Sequence, residues 1–393
     1  MDVPDIVRRW SARCSQCGEC KAFERLFLPS CPPGHRFRFT GYFPIGRMMI
    51  GRGLQEGVLT IEDDDVLERL YTCTACKACD VNCGNLLGGH IVDVIEGMRQ
   101  MAVSAGCTLP AHQVMIESLK KNDNVLERPK EERGDWARGL DIKTLAEDGA
   151  DVAFRAGCML SFDSDMREPA LAALKLLRTA GVDVGIEGKD EACCGGRAYE
   201  IGQLSEFTKY AEHNIEAYNN AGVSTVVLYC ADGVSHLKLL YPRLDIKMNF
   251  EVLHLVEYLD RLIQEGRINF TREVPMRVTY HDPCHLGRYA GVYDAPRNIL
   301  HNIPGIELVE MERNREHSWC CGAGAGVKQA YPQYSIWTAQ ERIKEAIETG
   351  AEALVTSCPW CERNFKDAVK EYGANIEVYD IAEIAAQAIE QEG

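Results

Sequence analysis

Cysteine spacing constrains this chain more than any other feature. Eighteen cysteines lie at positions 14, 17, 20, 31, 73, 76, 79, 83, 107, 158, 193, 194, 230, 284, 320, 321, 358 and 361. Eight precede residue 84, nine begin at Cys158, and Cys107 stands alone between the two systems. The rear system repeats. Cys158, Cys193, Cys194 and Cys230 recur as Cys284, Cys320, Cys321 and Cys358 at a spacing of about 127 residues, and a fixed long period marks an internal structural repeat. Flanking text repeats too: Ala221-Gly222-Val223 matches Thr349-Gly350-Ala351, and Phe250-Glu251-Val252 matches Ile376-Glu377-Val378.

A chain of 393 residues, 46% hydrophobic and 26% charged, can build a core without covalent staples, whereas disulfide scaffolds are short and secreted. Residues 1–10 carry no secretory pattern, and no run reaches the roughly 18 apolar residues of a membrane span. The cysteines therefore read as thiolate ligands of a cytoplasmic protein. A disulfide-rich exported protein is the competing reading, and it requires few free thiols. Lys+Arg 43 against Asp+Glu 59 leaves a net charge of −16, which argues against nucleic acid and anionic membrane surfaces as partners. His35-Arg36-Phe37-Arg38-Phe39 interleaves basic and aromatic residues, as single-strand binders do. In so acidic a chain it reads as cover for a cluster or for a partner surface.

The expected fold is α/β plus α, with four segments. Residues 1–120 read as a mostly helical ferredoxin-type domain. There, Ile91, Val94, Ile95, Met98 and Ala102 follow helical spacing up to Gly106, and Asp63-Asp64-Asp65 opens another helix through Tyr71. Residues 121–150, with Glu127-Arg128-Pro129-Lys130-Glu131-Glu132-Arg133 at their centre, read as a charged linker. Residues 151–266 and 267–393 read as two α/β units. Their strands are expected at Val152–Phe154, Thr225–Leu228, Arg277–Tyr280 and Ala353–Val355, with helices near Ala170–Leu177 and Ile336–Thr349. Cys158, Cys230, Cys284 and Cys358 follow strands, and open α/β sheets gather ligands at the carboxyl ends of their strands.

The front cysteines read as ligands of two cubane [4Fe–4S] clusters. Two-residue gaps let three thiolates converge on one cube from a single loop, and in two-cluster ferredoxins the fourth cysteine of each run serves the other cluster. The crossed assignment is Cys14, Cys17 and Cys20 with Cys83, and Cys73, Cys76 and Cys79 with Cys31. Structural zinc also uses two-residue gaps, but it takes four ligands, usually as separated pairs. Behind, Cys284, Cys320-Cys321 and Cys358-Pro359-Trp360-Cys361 form a set of five. Adjacent cysteines aim poorly at one tetrahedral ion, and five thiolates exceed the corners of a cube. An opened cluster with bridging thiolates accommodates both features.

Specific text carries a resemblance. His281-Asp282-Pro283-Cys284-His285-Leu286-Gly287-Arg288, Gly291-Val292-Tyr293-Asp294-Ala295-Pro296-Arg297, Cys320-Cys321-Gly322-Ala323-Gly324 and Cys358-Pro359-Trp360-Cys361 resemble the cysteine-rich CCG-domain proteins. The whole layout is similar to the D polypeptide of heterodisulfide reductase. It also resembles iron–sulfur components of glycolate, lactate and glycerol-3-phosphate oxidation systems, and one component of tungsten-type benzoyl-CoA reductases. The resemblance implies a noncubane [4Fe–4S] cluster held by Cys284, Cys320, Cys321, Cys358 and Cys361, the catalytic candidates. It implies an oxidoreductase subunit that relays electrons from the cubanes to that cluster, which acts on a disulfide or on a partner reductase. The related systems imply two alternatives: coupling a flavoprotein dehydrogenase to quinone, and supplying electrons to a benzoyl-CoA reductase-type complex. A metal-stapled, non-catalytic binding module is the alternative outside redox chemistry.

The first unit departs from the pattern. Cys158, Cys193, Cys194 and Cys230 are present, but Gly233 stands where a fifth cysteine belongs. Four thiolates still suffice for a further [4Fe–4S] cluster, and an emptied site kept for packing is the alternative. Gly322-x-Gly324-x-Gly326 lacks the dinucleotide fingerprint and reads, with Gly195-Gly196, as room for backbone to approach a cluster. A flavoprotein or other redox subunit is therefore expected as partner in a hetero-oligomeric complex, and a membrane or quinone-linked partner is compatible with this. His281 and His285 flank Cys284 and are candidates for orienting it or delivering protons. Trp360 is expected to shield the cluster. Cys107 reads as a small buried hydrophobe.

Overall fold

The computed structural model describes residues 3–23 and 26–389. The front part is helical: α1 (Asp5–Ser11), α2 (Pro32–Phe37), α3 (Pro44–Glu56), α4 (Asp64–Tyr71), α5 (Ala78–Asn82), α6 (Ile91–Ser104) and α7 (Pro110–Asn122), with one hairpin of β1 (Ala22–Phe23) and β2 (Leu28–Pro29). The apolar stripe of α6 is buried as its spacing requires, through Ile91, Val94, Ile95, Met98 and Ala102. Asp80 accepts from the backbone N–H of Ile91 at 2.6 Å and of Val92 at 3.4 Å. It thereby satisfies orphan donors at the start of α6 and ties the second cysteine loop to that helix.

Behind lie two all-parallel sheets. The first contains β3 (Lys143–Thr144), β4 (Val152–Arg155), β5 (Val184–Ile186), β6 (Thr225–Leu228) and β7 (Glu251–His254) in the order β3-β5-β4-β6-β7. The second contains β8 (Met276–Tyr280), β9 (Ile306–Leu308), β10 (Ala353–Thr356) and β11 (Glu377–Asp380) in the order β11-β10-β8-β9. Replacing β4, β5, β6 and β7 by β8, β9, β10 and β11 converts one order into the other, so the sequence repeat is a repeat of topology. The central strands β4, β6 and β10 are buried along their whole length, as parallel strands covered on both faces must be. The order of strand addition reverses in each sheet between its first and third repeat strands, β4 and β6 or β8 and β10. Cys158 and Cys230, then Cys284 and Cys358, follow the carboxyl ends of those strands, where open α/β sheets form their binding crevice.

Residues 121–150 are more than a surface connection. Their Arg133 and Trp136 are buried, and β3 within them extends the first sheet. Two glycines of the run at 322–326 lie against the front domain. A Cβ at Gly324 would lie 2.5 Å from the carbonyl oxygen of Thr74, and one at Gly326 would lie 2.6 Å from Nε2 of His112. What these glycines admit is the front domain itself. His35 and Phe37 of α2 complete the seam by packing on Trp319, Trp337 and Tyr334.

Candidate metal centres

The two front cysteine loops fold alike. Gln16 and Gly18 in Cys14–Cys20, and Ala75 and Lys77 in Cys73–Cys79, occupy matching gap positions and all have positive φ, between 51° and 85°. Left-handed turns at those positions swing successive thiols and N–H groups inward, the concave geometry that suits an anion. One cavity is lined by Cys14, Cys17, Cys20 and Cys83 together with Ile45, Met48 and Leu87. Another is lined by Cys31, Cys73, Cys76 and Cys79 together with Pro32, Arg47 and Val92. Each cavity thus joins one loop's three cysteines with the fourth cysteine of the other run. Burial pushes the Cys20 and Cys31 thiols up to about 12, so these sulfurs keep their protons unless a metal replaces them. Sets of four soft sulfur donors, unbridged by disulfides, fit iron–sulfur ligation.

In the second unit Cys284 contacts Cys320, Cys321 contacts Cys361, and Cys361 contacts Cys358. The Gly322 N–H donates to Cys320 Sγ at 3.3 Å, and the Gly195 N–H donates to Cys193 Sγ at 3.4 Å. The glycine after each cysteine pair thus turns left-handed, with φ of 91° and 72°, and aims its N–H back at the first sulfur. The five thiols do not form an isolated set. Cys76 of the front domain lies beside Cys320, and Cys358 lies beside Cys230 of the first unit. Arg288, from the π-helical turn His285–Tyr289, donates to the carbonyl oxygens of Cys76 and Ser318.

The first unit's four cysteines line one cavity with Val125, Arg155, Arg197, Gly233 and Trp360. Arg133 donates to Cys158 Sγ at 3.3 Å and to Glu191 Oε1 at 2.7 Å. Glu191 in turn accepts from the N–H groups of Ala156 and Gly157, which holds the turn that carries Cys158. The Cys193 thiol and the Arg133 guanidinium hold the Cys158 thiol down, at about 5. Trp360 belongs to the second unit but covers the first unit's cavity, with the Arg197 guanidinium 5.0 Å from its ring centroid. Cys107 pairs with none of these sulfurs, its thiol donating to the Ala105 carbonyl at 3.8 Å.

The two candidate histidines diverge. His281 is buried against Phe365, accepts from Arg342 Nε at 3.2 Å, and is held well below its ordinary value by burial. His285 Nδ1 lies 3.1 Å from Asp232 Oδ1 and its Nε2 lies 3.2 Å from Glu200 Oε1. Asp232 and Glu200 raise it to about 9 against the cost of burial. Sequence reasoning missed Arg133, Arg155, Arg197, Arg288, Asp232 and Glu200. The available signal was chemical: buried sets of anionic sulfur need nearby cations and N–H donors.

Known proteins share both the text and the layout. A cysteine-rich domain family matches residues 152–238 and 278–366, and a 4Fe-4S dicluster domain family matches residues 10–87. The D polypeptide of a dihydromethanophenazine:CoB–CoM heterodisulfide reductase from Methanosarcina barkeri is 32% identical over 96% of this chain and 93% of its own length. An EtfAB:quinone oxidoreductase from Syntrophomonas wolfei is 32% identical over 82% of the chain and 47% of its own length. The B polypeptide of a fumarate reductase (CoM/CoB) from Methanothermobacter marburgensis is 33% identical over 81% and 61%. A crystal structure of a hypothetical protein from Helicobacter pylori shares the fold, with a TM-score of 0.59 at 11% identity over 80% of this chain and 61% of that one. No helix among the described residues is long and apolar enough to cross a membrane. A [4Fe–4S] dicluster domain joined to two cysteine-rich repeats, matched nearly end to end, places this chain in the iron–sulfur family that includes the D polypeptide of heterodisulfide reductase.

Proposed function

We propose that the chain is the iron–sulfur subunit of a hetero-oligomeric oxidoreductase and holds four [4Fe–4S] sites in a row. Cys14, Cys17, Cys20 and Cys83 would hold the first cubane. Cys73, Cys76, Cys79 and Cys31 would hold the second. Cys284, Cys320, Cys321, Cys358 and Cys361 would hold a noncubane cluster, and Cys158, Cys193, Cys194 and Cys230 a fourth cluster. Such clusters supply one-electron storage and transfer. The observation that carries the reading is contiguity: Cys76 lies beside Cys320, and Cys358 lies beside Cys230. Sulfur donors of the last three sites therefore adjoin.

The protein's own residues set the conditions along the row. Cys17 is exposed, which makes the first site the place where a flavoprotein or another redox subunit exchanges electrons. Phe23, beside Cys76 and Cys320, and Trp360, over the first unit's cavity, exclude water. Arg133 and Arg288 place positive charge beside Cys158 and Cys320, and cations favour the reduced, more negative state.

The name of the Methanosarcina barkeri relative supports a disulfide as the substrate class, cleaved as RSSR′ + 2e⁻ + 2H⁺ → RSH + R′SH. The missing fifth thiol at Gly233 favours a second reading, in which the chain passes electrons onward and a partner holds the substrate. Electron paramagnetic resonance on the anaerobic, oxidised protein separates them. A single alkyl thiol, added as a half-substrate, should produce a new paramagnetic species if disulfide chemistry occurs here. No new species, in protein that still exchanges electrons with a reduced flavoprotein, overturns the disulfide reading in favour of relay.

A further inference from the structure

Beyond the cysteines, one buried group of side chains bridges the two rear units. Glu200 ends the helix Gly196–Glu200, His236 lies in the helix Ala231–Leu239, and His285 begins the turn after Cys284. One potential ligand atom from each lies within 4.8 Å of the others, and all three residues are buried. Relative exposures are 1% for Glu200, 3% for His236 and 1% for His285.

The outer atoms of this group are already committed. Nδ1 of His285 faces Asp232 Oδ1 at 3.1 Å, and Nδ1 of His236 hydrogen-bonds the carbonyl oxygen of Asp232. Glu200 Oε2 and Asp232 Oδ2 each accept from Arg197 at 2.6 Å. The inner atoms are not committed. Glu200 Oε1 and His285 Nε2 are buried and have no aligned hydrogen-bond partner, although they lie 3.2 Å apart. Two ligands on a tetrahedral zinc, each about 2.05 Å from the ion, stand about 3.3 Å apart. Metal-bound histidines almost always give their other ring nitrogen to a carboxylate or a carbonyl; here Nδ1 of His236 meets the Asp232 carbonyl, and Nδ1 of His285 lies 3.1 Å from Asp232 Oδ1 and 3.3 Å from Ser235 Oγ.

We propose that Glu200, His236 and His285 form a three-ligand site for a divalent transition metal, Zn²⁺, separate from the cysteine sites and closing the junction between the two units. Two histidines and one glutamate leave the fourth position open. His236 swings inward to complete the sphere. Its position depends on Gly196, where a Cβ would lie 2.4 Å from Nδ1 of the ring. Asp232 fixes both imidazoles, and Arg197 balances the two carboxylates.

The test is metal analysis and zinc-edge X-ray absorption on the full chain with its clusters, after incubation with Zn²⁺ and gel filtration. The expected result is one tightly held zinc with only nitrogen and oxygen neighbours. Glu200→Gln and His236→Gln should weaken zinc at least tenfold while iron and acid-labile sulfide stay at wild-type levels. Substoichiometric zinc, zinc with sulfur neighbours, or equal zinc in wild type and both variants overturns the proposal and leaves a proton on His285 as the occupant. If a variant fails to fold, the wild-type absorption spectrum decides alone.

Discussion

Cys76 packs against Cys320 across the seam between the front domain and the second cysteine-rich unit. The two residues are far apart in sequence, yet each belongs to a different proposed cluster. Clusters sharing such an edge must interact magnetically. In the fully reduced protein the second cubane should show a split or broadened resonance. Cys321→Ser should abolish the unusual rear signal and sharpen the cubane signal, while both front cubanes remain. Loss of every signal together, or no change in any, contradicts the separation of sites.

Gly324 governs how closely that seam closes. Its missing Cβ makes room for the Thr74 carbonyl oxygen, a backbone atom that cannot swing aside. Gly324→Ala should cost about 1–3 kcal/mol through overpacking, and it should weaken the magnetic coupling without lowering iron content. Thermal unfolding and paramagnetic resonance measure the two effects. Unchanged coupling in a destabilised variant would mean that the clusters do not meet across this seam.

Gly233 is the one departure from the five-cysteine set. A Cβ there would meet Leu228 Cδ2 at 3.1 Å and Cys230 Cβ at 3.8 Å, so a side chain fits after a small shift of Leu228. Gly233→Cys should therefore convert the first unit's spectrum towards that of the second, as read by Mössbauer spectroscopy. A spectrum identical to wild type would mean that position 233 does not face a cluster.

Arg133 places a positive charge beside Cys158. Hydrogen bonds to charged groups contribute about 1.5–3 kcal/mol, which corresponds to about 60–130 mV for one electron. Removing the donor to Cys158 with Arg133→Met should lower that cluster's potential by this amount, whereas Arg133→Lys, which keeps the charge, should lower it less. Redox titration followed by paramagnetic resonance is the check. The Met variant also leaves Glu191 buried without its ion-pair partner, at a cost of about 3–5 kcal/mol, so the Lys variant separates redox from folding effects.

His112 makes the front seam sensitive to acid. Burial holds its imidazole at about 4 against an ordinary 6.5, with Nε2 3.1 Å from the Gly326 carbonyl. The native state then binds fewer protons than the unfolded chain between those values. Stability from this group is full above about pH 6.5 and falls as pH drops towards 4, by about 1.4 kcal/mol per unit. His112→Gln should remove that slope in thermal unfolding measured between pH 7.5 and 5.5. An equal slope in wild type and variant would assign the acid sensitivity elsewhere.

Much of the candidate site was legible because cluster chemistry is written in short spacings. The Cys73–Cys79 and Cys14–Cys20 loops carry it in two-residue gaps, and the rear repeat carries it in matched cysteines after strands. The α/β class followed from apolar runs such as Thr225–Leu228 alternating with helical stretches. What was not legible depends on contacts between distant segments. Arg133 sits in a charged run whose composition resembles a linker, and only folding brings it to Cys158. Gly324 and Gly326 read as cluster-approach glycines, and nothing local reveals that Thr74 and His112 come to them. Glu200, His236 and His285 come from three separate segments, and no spacing rule joins them.

The account stands on clusters in all four cysteine sites. Iron and acid-labile sulfide in anaerobically reconstituted protein, with Mössbauer spectra to sort the iron, test this most directly. With four irons per cluster the account predicts about 16 iron atoms per chain and a matching amount of sulfide. About 12, with no spectrum from Cys158, Cys193, Cys194 and Cys230, would contradict the fourth site, and a colourless protein holding only zinc would contradict the whole row.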